Sequence, residues 1–268
     1  MAARIDLFES TYAHFTEQVL TEVRRETFGE DIGQNSWLTV DEYDRFIDWL
    51  GIGPAHQVLD VASGSGGPAL HLAARSACRV TGIDVNRNGI AHAGRAAEAA
   101  GLERRVRFQM ADAAAPPFEA GVFDALLCID SMNHFPERQA TLAGWCRVLR
   151  PGGRAVFTDP VVITGPVTND ELALRSSIGL FLFVPPGVNE QLLARAGFRL
   201  VSRQDVTGNA TLVSGRWHDA RQRHRDALLE IEGEERFAGL QRFFAAVHRL
   251  TGERRLSRIA YLVEKTAT

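Results

Sequence analysis

The sequence predicts a doubly wound α/β fold, and three observations carry that expectation. Short apolar runs rich in β-branched residues alternate with helical stretches from about Val58 to Pro160, the rhythm of a parallel sheet covered on both faces. The first run, VLDVA, feeds directly into a glycine-rich turn and a helix, a unit that brings backbone N–H groups close to a ligand. Acids stand at the ends of three runs, at Asp60, Asp84 and Asp112, and ligands of such sheets bind at the carboxyl ends of the strands.

Each element follows from its own pattern. Ahead of the sheet, Ile5, Phe8, Tyr12, Phe15 and Val19 recur in steps of three and four, which predicts one amphipathic helix packed on the core. GEDIGQNSWLT reads as a loop, and Val40 to Leu50 as a second helix. The core then runs VLDVA strand, PALHLAAR helix, RVTGIDV strand, GIAHAGRAAEAAG helix, VRFQMAD strand, FDALLCID strand, TLAGWCRVLR helix and RAVFTDP strand. Past Pro160 the rhythm changes: Asn169 to Ser177 is helical, VNEQLLARAGF is a short helix ended by Gly197, and FRLVSRQDVT is a strand. A helical segment from about Gly208 to Leu250 places Trp217, His224, Leu228 and Ile231 near one face, and LSRIAYLVEK closes the chain as a strand. The expectation is a single domain, with a helical cover over residues 1–50, a cofactor-binding core over 58–160 and a helical insert over 208–250.

Composition narrows the ligand class. A chain of 268 residues can bury a sizeable core. Its net charge of −3 and charged fraction of 24% give no global electrostatic case for nucleic acid or an anionic membrane. A small-molecule partner is the expectation. Cys78, Cys128 and Cys146 are odd in number and lack CxxC spacing, as reduced cytoplasmic thiols do. The longest apolar run, IGLFLFV, is too short to span a bilayer, and charges stand where a signal peptide would place its apolar region. A soluble cytoplasmic protein is expected. The histidines show no ligand spacing, so no metal is expected.

Two ligands fit the turn. Gly64-Ser65-Gly66-Gly67-Pro68-Ala69 satisfies G-x-G-x-x-A, and Asp84 lies 18 residues after Gly66, which makes NAD a candidate. Asp60 argues against it, because its charge would repel a pyrophosphate approaching the turn. S-adenosylmethionine reverses the sign: it carries a sulfonium and an ammonium and has no phosphates. Asp60 then attracts or orients the charged end, Asp84 accepts the ribose hydroxyls, Asp112 accepts the adenine amino group and Ala113 offers its N–H to the ring.

With these pieces assembled, the chain resembles the class I S-adenosylmethionine-dependent methyltransferases. The matching segments are VLDVASGSGG, VTGIDV, MADAAAPPF, FDALLCIDSMNHF and CRVLRPGGRAVFTDP, in the family's order from about Val58 to Pro160. The resemblance implies a Rossmann-like sheet of seven strands with the last antiparallel, and it extends cofactor contact to Ala62, Ser63, Val85 and Ile129. Ala62 departs from the pattern, since the family usually has glycine there, and alanine is uncomfortable wherever φ is positive. FGEDIGQNSWLT, the Asp and His four apart in CIDSMNHF and the insert before the final strand look like the small-amine branch, particularly phosphoethanolamine and sarcosine or dimethylglycine N-methyltransferases. Pro160 and Val161 stand where that branch tends to place a tyrosine, so phosphoethanolamine itself is not the expected acceptor.

Asp130 and His134 follow the fourth strand, where a helical turn would bring them to one face. His134 is the candidate general base and Asp130 its orienting acid; a structural helix-start histidine is the competing reading. In the GQNSW loop, Gln34, with Asn35 and Ser36, is the candidate contact to the cofactor, and Trp37 offers an apolar face to its cation; a plain surface loop is the equal competing reading. The leading expectation is methyl transfer to a small molecule, with nitrogen slightly ahead of oxygen and carbon third. An NAD-dependent oxidoreductase and a non-catalytic cofactor-binding protein are the alternatives.

Overall fold

The structure is a computed structural model that describes residues 8–266, with side chains from residue 11 onward. Its helices and strands follow in the order α1 (Phe8–Ala13), α2 (Gln18–Phe28), α3 (Val40–Leu50), β1 (Gln57–Val61), α4 (Gly67–Ser76), β2 (Arg79–Asp84), α5 (Arg87–Ala99), β3 (Val106–Met110) and β4 (Phe123–Cys128). A 3₁₀ turn (Met132–His134) then leads to α6 (Arg138–Val148), β5 (Leu149–Ile163), α7 (Asn169–Arg175), α8 (Val188–Arg195), β6 (Phe198–Asp205), α9 (Thr207–Arg223), α10 (Arg225–Gly252) and β7 (Leu256–Lys265).

The strands form one sheet of order β3-β2-β1-β4-β5-β7-β6. Strands β1 to β5 pair in parallel, whereas β7 runs antiparallel to both β5 and β6. This is the seven-stranded Rossmann-like arrangement expected from the sequence. The period-2 alternation of each strand sorts its side chains into two cores. Leu59, Val61, Leu126, Phe157 and Tyr261 pack with Trp145 on one face. Val58, Ala125, Leu127, Val156 and Ala260 pack with Tyr43, Phe46 and Leu72 on the other. Because β1 lies between β2 and β4, the order reverses beside it, and the carboxyl ends of these strands open a crevice.

A third apolar cluster covers that crevice. It joins Val23 and Phe28 of α2, Trp37, Ile178, Trp217 of α9, and Phe237, Phe243 and Phe244 of α10. Gly233, at φ 73° and ψ 165°, breaks α10 into two rods. Of the face expected there, Trp217 and Leu228 are buried, while His224 and Ile231 are partly exposed.

The N-terminal helix differs from expectation. Ile5 and the side chain of Phe8 lie outside the described residues, α1 ends at Ala13, and a new helix starts at Gln18. Phe15 sits in the break, 4% exposed, with its ring 4.8 Å from His92 and 4.0 Å beneath the Arg24 guanidinium. Tertiary packing of that ring, together with the cation above it, overrides the local helical periodicity. Among the described residues, no helix is long and apolar enough to cross a membrane.

Candidate active site

The site begins with a turn into which neighbouring chain is packed tightly. Ala62, at φ 58°, is left-handed despite its methyl group. A Cβ on Gly67 would lie 1.8 Å from the Ile32 carbonyl oxygen, and one on Gly64 would lie 2.3 Å from the Tyr12 hydroxyl. Only glycine admits the loop and α1 this closely. Ser65 ties the two segments together, its hydroxyl donating to the Gly33 carbonyl at 2.6 Å.

The acids line the crevice. Asp60, 5% exposed, is raised to about 7 by burial, with the charge of Asp84 adding to the effect. Asp84 accepts the N–H groups of Gly64 and Asn86, each at 2.8 Å. Burial raises it as well, while those backbone donors pull the other way. Asn86 itself caps α5, accepting from the Gly89 N–H. Asp112 accepts the Ala114 N–H at 2.8 Å, so it forms a turn as well as lining the cavity. The Ala113 carbonyl is fixed by the Trp145 indole N–H at 2.8 Å. Val85 is 68% exposed at the cavity wall, where an apolar side chain held in the open offers a platform for a flat ring.

These groups share a cavity of about 730 Å³, within the range of small-molecule sites. Ala62, Ser63, Gly64 and Ile129 line the same space, and beyond them it continues past Asp130 and His134. Trp37, Ile178, Phe181, Trp217, Phe243 and Phe244 wall the far part, and Arg175 lies among them.

A family model described as a methyltransferase domain matches residues 58–153. Methyltransferase GfsG of Streptomyces halstedii is 33% identical over 204 residues, covering 72% of this chain and 69% of that one. This chain belongs to the class I S-adenosylmethionine-dependent methyltransferases. The 27-O-demethylrifamycin SV methyltransferase of Amycolatopsis mediterranei (strain S699) is 28% identical over 234 residues, covering 81% of this methyltransferase and 85% of that one. Phosphoethanolamine N-methyltransferase 2 of Haemonchus contortus, solved with phosphomonomethylethanolamine and S-adenosylhomocysteine, superposes with a TM-score of 0.81. It is 17% identical over 98% of this chain and 61% of its own, a likeness of fold.

The methyltransferase's cofactor is therefore S-adenosylmethionine, and the residues present fit it. The buried Ser63 hydroxyl lacks a protein partner, the wall carries acids for a cation, and no phosphate need approach Asp60. The dinucleotide and non-catalytic alternatives give way.

Two of the residues expected to bind cofactor lie outside the cavity wall. Gln34, 1% exposed, spends its amide on its own loop, accepting from the Ile32 N–H at 2.8 Å and donating to the Glu30 carbonyl at 3.0 Å. It locks the loop that carries Trp37. Gly66, at φ 82°, is the N-cap of α4, packed against Ala93 and Phe108.

The Asp130–His134 pairing is also replaced. Asp130 is left-handed at φ 53° and precedes the 3₁₀ turn. One of its carboxylate oxygens accepts from the Thr158 hydroxyl at 2.7 Å and Arg258 Nε at 2.6 Å, and the other from the Trp37 N–H at 2.9 Å. Arg258, fully buried, reaches Glu42 at 2.5 Å with Nη1. Asp130 therefore anchors the Trp37 loop to β5 and β7. His134 is held instead by the Leu180 carbonyl, 2.8 Å from Nδ1. A carbonyl only accepts, so Nδ1 donates to it, while Nε2 accepts from the Asn133 amide nitrogen at 3.3 Å. Sequence reasoning placed Trp217 on a covering face of the insert but missed Arg175, Arg258 and the Phe243 and Phe244 rings of α10.

Proposed function

We propose that this methyltransferase methylates a hydroxyl oxygen of a predominantly apolar small molecule. The observation that carries the reading is the far wall of the cavity, six large apolar side chains with one guanidinium among them. S-adenosylmethionine supplies a methyl on a sulfonium, an excellent leaving group, so the protein's work is to position the acceptor, exclude water and take a proton. The aromatic wall does the first two. His134 is the group for the third: the Leu180 carbonyl orients its ring, and Nε2 exchanges its long bond to the Asn133 amide for the acceptor's proton.

At the aromatic end of the cavity, where Arg175 packs on Phe181, Phe243 and Trp37, charge favours oxygen over the nitrogen that the sequence placed slightly ahead. An amine enters or leaves as a cation, and the Arg175 guanidinium in a dehydrated chamber opposes it. Asp130, which could offset that charge, is already paired with Arg258. A hydroxyl gives up its proton and leaves as a neutral ether. The similarity to an enzyme named for a 27-O position supports the same choice. Pro160 lines the cavity, and among the described residues Arg175 is the only lysine or arginine in its wall, which supports a low preference for a phosphorylated base.

The test is transfer of an isotope-labelled methyl group from S-adenosylmethionine to a mixed panel of phenols, enols, aliphatic alcohols and amines, with the product methyls assigned by NMR. Labelled ethers and no labelled amines are expected. N-methyl products as the dominant signal would overturn the oxygen assignment.

A further inference from the structure

Arg175 ends α7 at 1% exposure, yet its Nε and Nη1 find no hydrogen-bond acceptor in the protein. The other buried arginines among the described residues all have carboxylate partners: Arg258 has Glu42 and Asp130, Arg138 has Asp159, and Arg221 has Glu232. Around Arg175 the contacts are aromatic. Its guanidinium carbon lies 4.7 Å from the Phe181 ring centroid, 5.2 Å from Phe243 and 5.7 Å from Trp37. Ring faces attract the cation but accept none of its in-plane N–H bonds. Burial draws the guanidinium down to about 9, even though Asp130 and Asp159 pull it upward. An uncompensated buried charge is costly, and an orphaned donor in a native fold calls for a reason. Arg175 borders the cavity, so a ligand can supply what the protein does not.

We infer that Arg175 receives a carboxylate of the acceptor, which makes the substrate class a hydroxylated, largely apolar monocarboxylate. The inference rests on the aromatic chamber being the acceptor site. One guanidinium balances one negative charge. A phosphate dianion would leave a charge unmatched in a cavity that Asp60, Asp84, Asp112 and Glu137 also line. A carboxylate, by contrast, replaces water with charge-assisted bonds that the aromatic wall keeps dry.

The experiment is calorimetry on the intact protein saturated with S-adenosylhomocysteine. The probes are hydroxycinnamates, hydroxynaphthoates and ω-hydroxy fatty acids, each beside its methyl ester and the phosphate monoester of the same skeleton. In the wild type at least one acid is expected to bind about tenfold more tightly than its ester, the scale of one charge-assisted bond. In Arg175→Met that preference should fall below about twofold, with S-adenosylhomocysteine affinity unchanged. Arg175→Lys should restore part of it. The melting temperature of Arg175→Met should equal or exceed that of the wild type, because an unpaired buried charge has been removed; a purely structural arginine would lower it. Esters matching acids, no acid binding, phosphates binding more tightly than acids, or a preference that survives in Arg175→Met would each overturn the inference. Binding is read without turnover, so N-methyl products would contradict the oxygen assignment and leave the carboxylate result standing.

Discussion

Asp60 should couple cofactor affinity to pH. Burial, with the Asp84 charge adding, raises its carboxyl from the ordinary range to about 7. A cationic cofactor favours the carboxylate, so binding must expel a proton wherever the free protein holds one. The association constant then levels off above about pH 7 and falls roughly tenfold per unit below it, about 1.4 kcal/mol for each unit. Between pH 8 and pH 6 the expected loss is about tenfold. Asp60→Asn should bind about 1.5–3 kcal/mol more weakly at pH 8, the scale of a charge-assisted bond, and show no such slope. Stability runs the opposite way. A folded-state value above the unfolded one means that the stabilising contribution is full below the unfolded value and is lost as pH rises toward about 7. The cofactor-free Asn variant should therefore melt above the wild type at pH 8, and the gap should close near pH 4. Calorimetry of S-adenosylmethionine binding at several pH values, in buffers of different ionisation enthalpy, counts the proton directly. A flat wild-type affinity between pH 6 and pH 8, or an unchanged slope in Asp60→Asn, would refute the reasoning.

Three further substitutions test the scaffold. Ala62→Gly should stabilise the protein by about 0.5–1 kcal/mol, since relief of the left-handed alanine, about 1–2 kcal/mol, outweighs the added glycine entropy of roughly 0.5–1; urea denaturation showing a loss would mean that φ 58° carries no strain. Gly67→Ala, whose methyl would meet the Ile32 carbonyl at 1.8 Å, should displace the loop and weaken S-adenosylhomocysteine binding by at least about tenfold; unchanged affinity would contradict the loop's role. Arg258→Met leaves Glu42 and Asp130 buried without their cation and should cost about 3–5 kcal/mol in denaturation. A loss under about 1 kcal/mol would show that the trio is not an anchor.

What the sequence disclosed was what lies close together along it. Asp60 and the glycine turn are neighbours in the chain, and the apolar strands announce themselves one by one, so the core and the cofactor edge could be read locally. The antiparallel last strand came through the family resemblance. Tertiary facts were hidden. Phe15 keeps helical spacing with its neighbours and still leaves the helix to pack on His92. The spacing of Asp130 and His134 suggested a pair, but a left-handed Asp130 turns its carboxylate to Arg258, 128 residues away. Gln34 looks like a ligand contact until its amide is seen bonded to its own loop. Arg175 reads as one more solvated arginine on a helix in a chain with 30 lysines and arginines. Nothing local marks it as the one that Trp37 and Phe243, over a hundred and about seventy residues away, close around.

The central claim is that the chamber methylates an oxygen whose proton passes to His134. Single-turnover rates from about pH 5.5 to pH 9 test it most directly, measured with cofactor saturating so that Asp60 stays ionised throughout. In the wild type the rate should rise with pH through one ionisation and then level off. His134→Ala should lower kcat by about 100-fold to 10,000-fold, lose that step and leave S-adenosylhomocysteine affinity almost unchanged. A variant with near-normal rates and the wild-type pH profile would contradict the account and leave positioning and dehydration as the whole of catalysis.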